Sequence, residues 1–124
     1  MTSNYPRMPM IYVAGKFSDE SAIKVLDNMR DGIWACRVIM DDMRCLPFNP
    51  WLDFLYPLLA PGLSVDTLKA CSMEALRRSD AVFALPSWTQ SPGARDEIEE
   101  ATQLKIPVIF KLSDLTKFIE EWHA

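Results

Sequence analysis

The most informative stretch of this 124-residue chain runs from Leu85 to Glu97, Leu-Pro-Ser-Trp-Thr-Gln-Ser-Pro-Gly-Ala-Arg-Asp-Glu. It leaves an apolar run, crosses a polar loop and enters a helical pattern. Ser91 stands at the natural N-cap position, with Pro92 early in the helix and Gly93 behind it. The free N–H groups and positive dipole end of such a helix start suit an anion, although the same residues also open ordinary helices. Four acids follow: Asp96, Glu97, Glu99 and Glu100. Ala94, Ile98, Ala101 and Leu104 define the helix's apolar face, and Glu97 lies within about 45° of its centre at about 100° per residue. The other three acids point away, as acids that merely complement a dipole do. Glu97 is thus the one carboxylate directed at the sheet. Near a helix start it is expected to stay ionised, as a nucleophile must. The competing reading is an inward acid paired with Arg or backbone amides.

Other candidates gather at the same end of the chain's strands. Tyr12 lies in a buried apolar run and needs a partner for its hydroxyl, for which Glu97 is placed. Gly15-Lys16 follows that run. It lacks the upstream glycine of a phosphate loop and has Phe17 where a hydroxyl belongs. What is left is a backbone turn near an anion, with Lys16 as a counter-charge or as a solvated surface lysine. Phe48, Trp51 and Trp88 sit in or near loops at this end, where they could stack on a base or pack in the core.

Length, charge and composition narrow the function classes. One domain fits this length. The chain is 49% hydrophobic and 24% charged, enough for a packed core. A net charge of −4 argues against a nucleic-acid polymer as partner. No run of apolar residues is long enough to span a membrane, and residues 1–9 read as a loose leader without a signal core. Three widely spaced cysteines, Cys36, Cys45 and Cys71, point to reduced thiols and a cytoplasmic setting. The single histidine, His123, removes His-based triads and His-rich metal sites. No metal or cofactor is implied.

The elements that must position these residues alternate. Met10–Ala14, Ala81–Leu85 and Pro107–Phe110 read as buried, neighbouring, parallel strands, with Arg44–Phe48 as a further strand. Helical segments separate them. The first starts after a cap at Ser18 or Asp19 and carries Ile23, Leu26, Met29, Ile33 and Trp34 at helical spacing. A short apolar helix covers Trp51–Leu59. A helix capped by Ser64 turns Val65, Leu68, Cys71, Ser72, Ala75 and Leu76 to one face. Ser91–Lys105 and Asp114–Trp122 complete the set. The expectation is a single α/β domain over residues 10–124, Rossmann-like or flavodoxin-like. Its parallel sheet has four or five strands, with helices on both faces. Ligands in such sheets bind past the carboxyl ends of the strands.

Ile11-Tyr-Val-Ala-Gly15, Ser79-Asp-Ala-Val, Leu85-Pro-Ser-Trp88 and Ser91-x-Gly-Ala-x-x-Glu97 followed by Ala101 resemble the nucleoside 2-deoxyribosyltransferase superfamily. The likeness is to its small phage and bacterial members and covers roughly residues 10–110. It implies an enzyme, often a dimer, that cleaves or exchanges the N-glycosidic bond of a nucleoside or nucleotide. Glu97 falls on the family's catalytic glutamate and Tyr12 on the tyrosine that orients it. Ser91 falls where nucleoside transferases carry an aspartate and the 5′-monophosphate hydrolases a phosphate-binding serine. A serine donates to a dianionic phosphate that an aspartate would repel. The resemblance therefore implies hydrolysis of a (deoxy)nucleoside 5′-monophosphate through a glycosyl-Glu97 intermediate, and a homodimer or higher homo-oligomer as the assembly; Gly15, Lys16, Ser72, Trp88, Ser91 and Gly93 are the residues expected to bind substrate. The alternatives are base exchange and a silent nucleotide-binding module. The sequence departs from the family at two places. Ser72 stands where an aspartate is usual and cannot act as acid or base, and the loop between the last strand and last helix is short.

Overall fold

The computed structural model describes residues 4–124. Four parallel strands form one sheet: β1 (Met10–Ala14), β2 (Leu46–Phe48), β3 (Ala81–Ala84) and β4 (Val108–Ile109), in the spatial order β2-β1-β3-β4. The three runs read as neighbouring parallel strands are neighbours, β1 beside β3 and β3 beside β4. Ile11 pairs with Ala81 and Tyr12 with Val82. At the start of this pairing Asp80 clamps β1: its backbone N–H donates to the Met10 carbonyl and its carboxylate accepts from the Met10 N–H, both at 2.8 Å. Of the expected leader, residues 1–3 lie outside the described residues. Pro9 is buried, and its carbonyl accepts from the Leu46 N–H at 2.9 Å.

Helices α1 (Ala22–Asp42), α2 (Leu55–Leu59), α3 (Val65–Arg77), α4 (Pro92–Gln103) and α5 (Leu112–His123) surround the sheet, with 3-10 turns at Pro50–Phe54 and Pro86–Gln90. Alternation along β1 divides the core into two layers. Ile11 and Val13 pack with Cys36 and Ile39 of α1 and with Leu115 and Ile119 of α5. Tyr12 and Ala14 pack on the other face, with Leu76 of α3 and Ala94 and Ala101 of α4. No helix among the described residues is long and apolar enough to cross a membrane.

Three helices depart from expectation. Helix α1 starts at Ala22 with Ser21 as N-cap, because the Asp19 carboxylate instead accepts from the Ser21 N–H and pairs with Lys16. Its inward face is Gly32, Cys36 and Ile39, with Met29 at the margin. Ile23, Leu26, Ile33 and Trp34 face solvent. The cause is Trp51, whose indole lies against Gly32 so closely that a Cβ there would overlap the ring. A residue with no side chain marks the buried stripe, and hydrophobic periodicity passes over it. On α3, Leu76 alone is fully buried, while Val65 and Cys71 are exposed. Finally, α4 ends at Gln103. Lys105 turns the chain with φ at 61°, which leaves Leu104 half exposed.

Candidate active site

Strand order reverses its direction of growth at β1, which has β2 on one side and β3 on the other. Chains leaving the carboxyl ends of adjacent strands there diverge to opposite sides and open a crevice. In this protein the crevice is a cavity of about 570 Å³ lined by Tyr12 and Gly15 from β1 and its exit. Asp53 comes from the turn after β2, Ser72 from α3, and Ser91, Gly93 and Glu97 from the start of α4. The volume lies within the usual range for small-ligand sites, roughly 300–1,000 Å³.

Tyr12 is almost completely buried. Phe48 of β2 stacks on its ring at 5.2 Å between centroids, which fixes the phenol at the cavity floor. Burial holds the phenol far above its ordinary range, and the facing carboxylates of Glu97 and Asp53 push the same way. Tyr12 therefore keeps its proton and acts as a hydrogen-bond donor to Glu97, while the Ser72 hydroxyl is a second side-chain partner that pulls its phenol the other way.

Glu97 sits in the second turn of α4, past the free N–H groups of the helix start. Its Oε2 is buried and has no hydrogen-bond partner. Burial raises its carboxyl from 4.5 to about 7, opposed by the hydrogen bond with Tyr12 and assisted by the charge of Asp96. Full ionisation at neutral pH, expected from the sequence, therefore does not hold. Among the described residues no arginine or backbone amide pairs with the buried oxygen, and desolvation outweighs the dipole. The one other buried side-chain oxygen without a partner among the described residues is Asn49 Oδ1, outside the cavity lining.

Ser91 caps α4: its Oγ accepts from the Ala94 N–H at 3.1 Å, and its carbonyl from the Arg95 N–H at 2.9 Å. Gly93 is exposed on the cavity side, and a Cβ there would meet only Ser91 Oγ, at 3.9 Å. Among the described residues only Ser91 comes near a Cβ placed at Gly93, so an incoming ligand can approach the backbone closely.

The remaining candidates divide. Gly15 is hemmed by Leu85, Trp51 and Ser87, all within 3.2 Å of where a Cβ would be, so a side chain there would have to push these neighbours aside. Lys16 is held by its backbone. Its N–H donates to Ser87 Oγ at 3.0 Å and its carbonyl accepts from Trp51 Nε1 at 3.1 Å. Its ammonium is engaged with Asp19 at 3.0 Å and does not line the cavity. Trp88 also stays outside the lining, tilted against Phe110 at 5.7 Å. Trp51 is buried and forms a wall. Ser72 donates to Asp53 Oδ2 at 3.0 Å. Asp53 is the residue that sequence reasoning missed. A lone acid inside Trp-Leu-Asp-Phe-Leu, just past the end of a strand, was its one available signal.

The arrangement places a desolvated carboxylate, a fixed phenol donor, a second carboxyl and an open helix start around one cavity. No group of three or more His, Cys, Asp or Glu side chains among the described residues could hold a metal ion. Residues 9–110 match the family model described as a domain of unknown function, DUF4406. No curated protein matches the chain in sequence. Among solved structures it is similar to a 2-desoxiribosyltransferase from Leishmania mexicana, with a TM-score of 0.56 and 19% identity. The likeness covers 81% of this chain and 61% of that one, so the chain spans less than two thirds of that protein. At that identity the likeness shows a shared α/β fold.

Proposed function

This chain belongs to the DUF4406 family, and we propose that it is an enzyme hydrolysing the N-glycosidic bond of a (deoxy)nucleoside 5′-monophosphate. One observation carries the reading: a buried, unpartnered carboxylate oxygen of Glu97 in a cavity whose rim is the capped start of its own helix. The resemblance of its motifs to nucleoside 2-deoxyribosyltransferases supports an enzyme acting on a nucleosidic bond, and the shared fold is consistent with that coarser reading.

In this reading the 5′-phosphate lies at Ser91 and the amides around Gly93, where charge-assisted hydrogen bonds contribute roughly 1.5–3 kcal/mol each. Tyr12 orients the Glu97 carboxylate. An oxygen of Glu97 bonds to C1′ as the C1′–N pair leaves with the base, through an oxocarbenium-like transition state. Water then attacks C1′, gives up a proton and releases the sugar phosphate, which restores the free carboxylate. Gly15 and Ser72 lie along the substrate's path; Lys16 and Trp88 support the walls from outside. The setting is cytoplasmic and the assembly a homodimer, for which the exposed apolar residues Ile23, Leu26, Ile33 and Trp34 of α1 offer a surface.

Base release measured by chromatography tests the reading. A 5′-monophosphate is expected to exceed its nucleoside by at least tenfold in kcat/KM, and equal rates or a preference for the nucleoside contradict it. Base exchange is the second reading, favoured by the fold shared with the Leishmania protein. Adding a free acceptor base separates the two, since a transferase then makes a new nucleoside.

A further inference from the structure

Breaking a C1′–N bond leaves electrons on a base nitrogen, and an unactivated base departs slowly unless a proton arrives with them. Ser72 cannot supply it, and Tyr12 holds its proton too tightly. Asp96 and Lys69 stand exposed at the cavity rim. Asp53 has the geometry that these lack. It is half-buried in the 3-10 turn after β2 and lines the cavity from an element other than the α4 helix that carries Glu97. Its Oδ2 accepts from Ser72 Oγ at 3.0 Å, which fixes the carboxyl plane, while Oδ1 carries no hydrogen bond or ion pair among the described residues.

We propose that Asp53 is the general acid and base of this site, giving a proton to the leaving base and taking one from the incoming water, with Ser72 as its positioning residue. The assignment rests on the glycosidase reading. In the first step Glu97 bonds to C1′, the C1′–N bond breaks, and the proton on Asp53 moves to the base nitrogen. In the second, Asp53 removes a proton from water as its oxygen bonds to C1′ and the Glu97 ester opens. The reactive form carries the pair's one proton on Asp53 and its charge on Glu97, and the cycle returns to that form. Burial raises the Asp53 carboxyl above its ordinary range, against the pull of the Ser72 hydroxyl, which suits a group that must hold and release a proton. Two carboxyls flanking one scissile bond, one ionised and one protonated, are the general solution for glycosyl transfer. The serine is thus coupled to a carboxyl carried by a different element.

The test compares two substrates of the full chain. One is a deoxynucleoside 5′-monophosphate; the other is 4-nitrophenyl deoxyriboside 5-phosphate, whose nitrophenolate leaves without a proton. Asp53→Asn is expected to lose at least a hundredfold in kcat on the nucleotide, in line with the roughly 10²–10⁴-fold worth of a general acid. On the nitrophenyl substrate the same variant should fall less than about fivefold in the nitrophenolate burst. Equal losses on both, or no loss on the nucleotide, overturn the assignment while leaving the glycosidase reading intact. A wild-type protein silent on both substrates overturns the reading and the assignment with it. Should Asp53→Asn fail to fold, Ser72→Ala carries the comparison. A drop of roughly three- to tenfold confined to the nucleotide supports the coupling, and an equal drop on both substrates contradicts it.

Discussion

Glu97 and Asp53 enter one cavity on different scaffolds. Glu97 projects from the second turn of a twelve-residue helix whose Ala94, Ile98 and Ala101 are locked against the sheet. One of its oxygens is buried with no partner. Asp53 projects from a five-residue 3-10 turn, and one of its oxygens is tied to a serine on α3. Burial raises both carboxyls. The difference lies in what answers the burial. Glu97 is anchored by backbone and relieved only by the Tyr12 phenol, so its charge is available to a substrate atom. Asp53 is steered by a hydroxyl that can follow either protonation state. A rigid, under-solvated anion suits attack on carbon; a hydrogen-bonded carboxyl suits the handling of protons.

The sharpest way to break this contrast is Glu97→Gln. We expect base release to fall at least a thousandfold on both the nucleotide and the nitrophenyl substrate, about 4 kcal/mol of barrier. The same variant should gain stability. Because the folded-state value, about 7, lies above the ordinary 4.5, the wild-type fold holds the Glu97 proton more tightly than the unfolded chain. Stability is therefore lost as pH rises between those two values. Denaturant titrations should find the variant ahead by on the order of 2–3 kcal/mol at pH 8, with the gap nearly closed at pH 4.

Ser91→Asp sets a fixed charge against the place given to the phosphate. The preference for the monophosphate over its nucleoside should shrink at least tenfold in kcat/KM, with the nucleoside rate changed far less. An unchanged preference would move the phosphate away from α4.

Tyr12→Phe removes the hydrogen bond that opposes the rise at Glu97. For the nitrophenyl substrate, which needs no acid, wild-type kcat/KM should climb with pH through about 7 as Glu97 ionises. In the variant that midpoint moves upward. The loss should be roughly three- to tenfold at pH 7 and most of it should vanish by pH 9. A uniform loss at every pH would make Tyr12 a packing residue only.

How much of this was legible beforehand depends on where the information sits. Parallel strands buried on both faces announce themselves as apolar runs, and β1, β3 and β4 were readable for that reason. The inward angle of Glu97 follows from Ala94, Ile98 and Ala101, three buried residues on one regular helix. The face of α1 was misread because its key contact is an absence: Gly32 makes room for Trp51, and no hydropathy scale records that. Asp53 was hidden among apolar neighbours in a short turn whose direction no periodicity fixes. Its partnership with Ser72 spans 19 residues and exists only once β2 and α3 are folded on the sheet. The ionisation of Glu97 was also out of reach, since it depends on how much of the cavity wall shields the carboxyl.

Trapping shows directly whether Glu97 is the nucleophile at C1′. A 2-fluoro deoxynucleoside 5′-monophosphate slows both glycosyl steps, so the ester can be caught by acid quench and located by mass spectrometry of peptic fragments. A sugar-phosphate adduct on Glu97 is expected, formed in step with one equivalent of released base and absent from Glu97→Gln. An adduct on Asp53, or base release at an undiminished rate with no adduct on the protein, would contradict it.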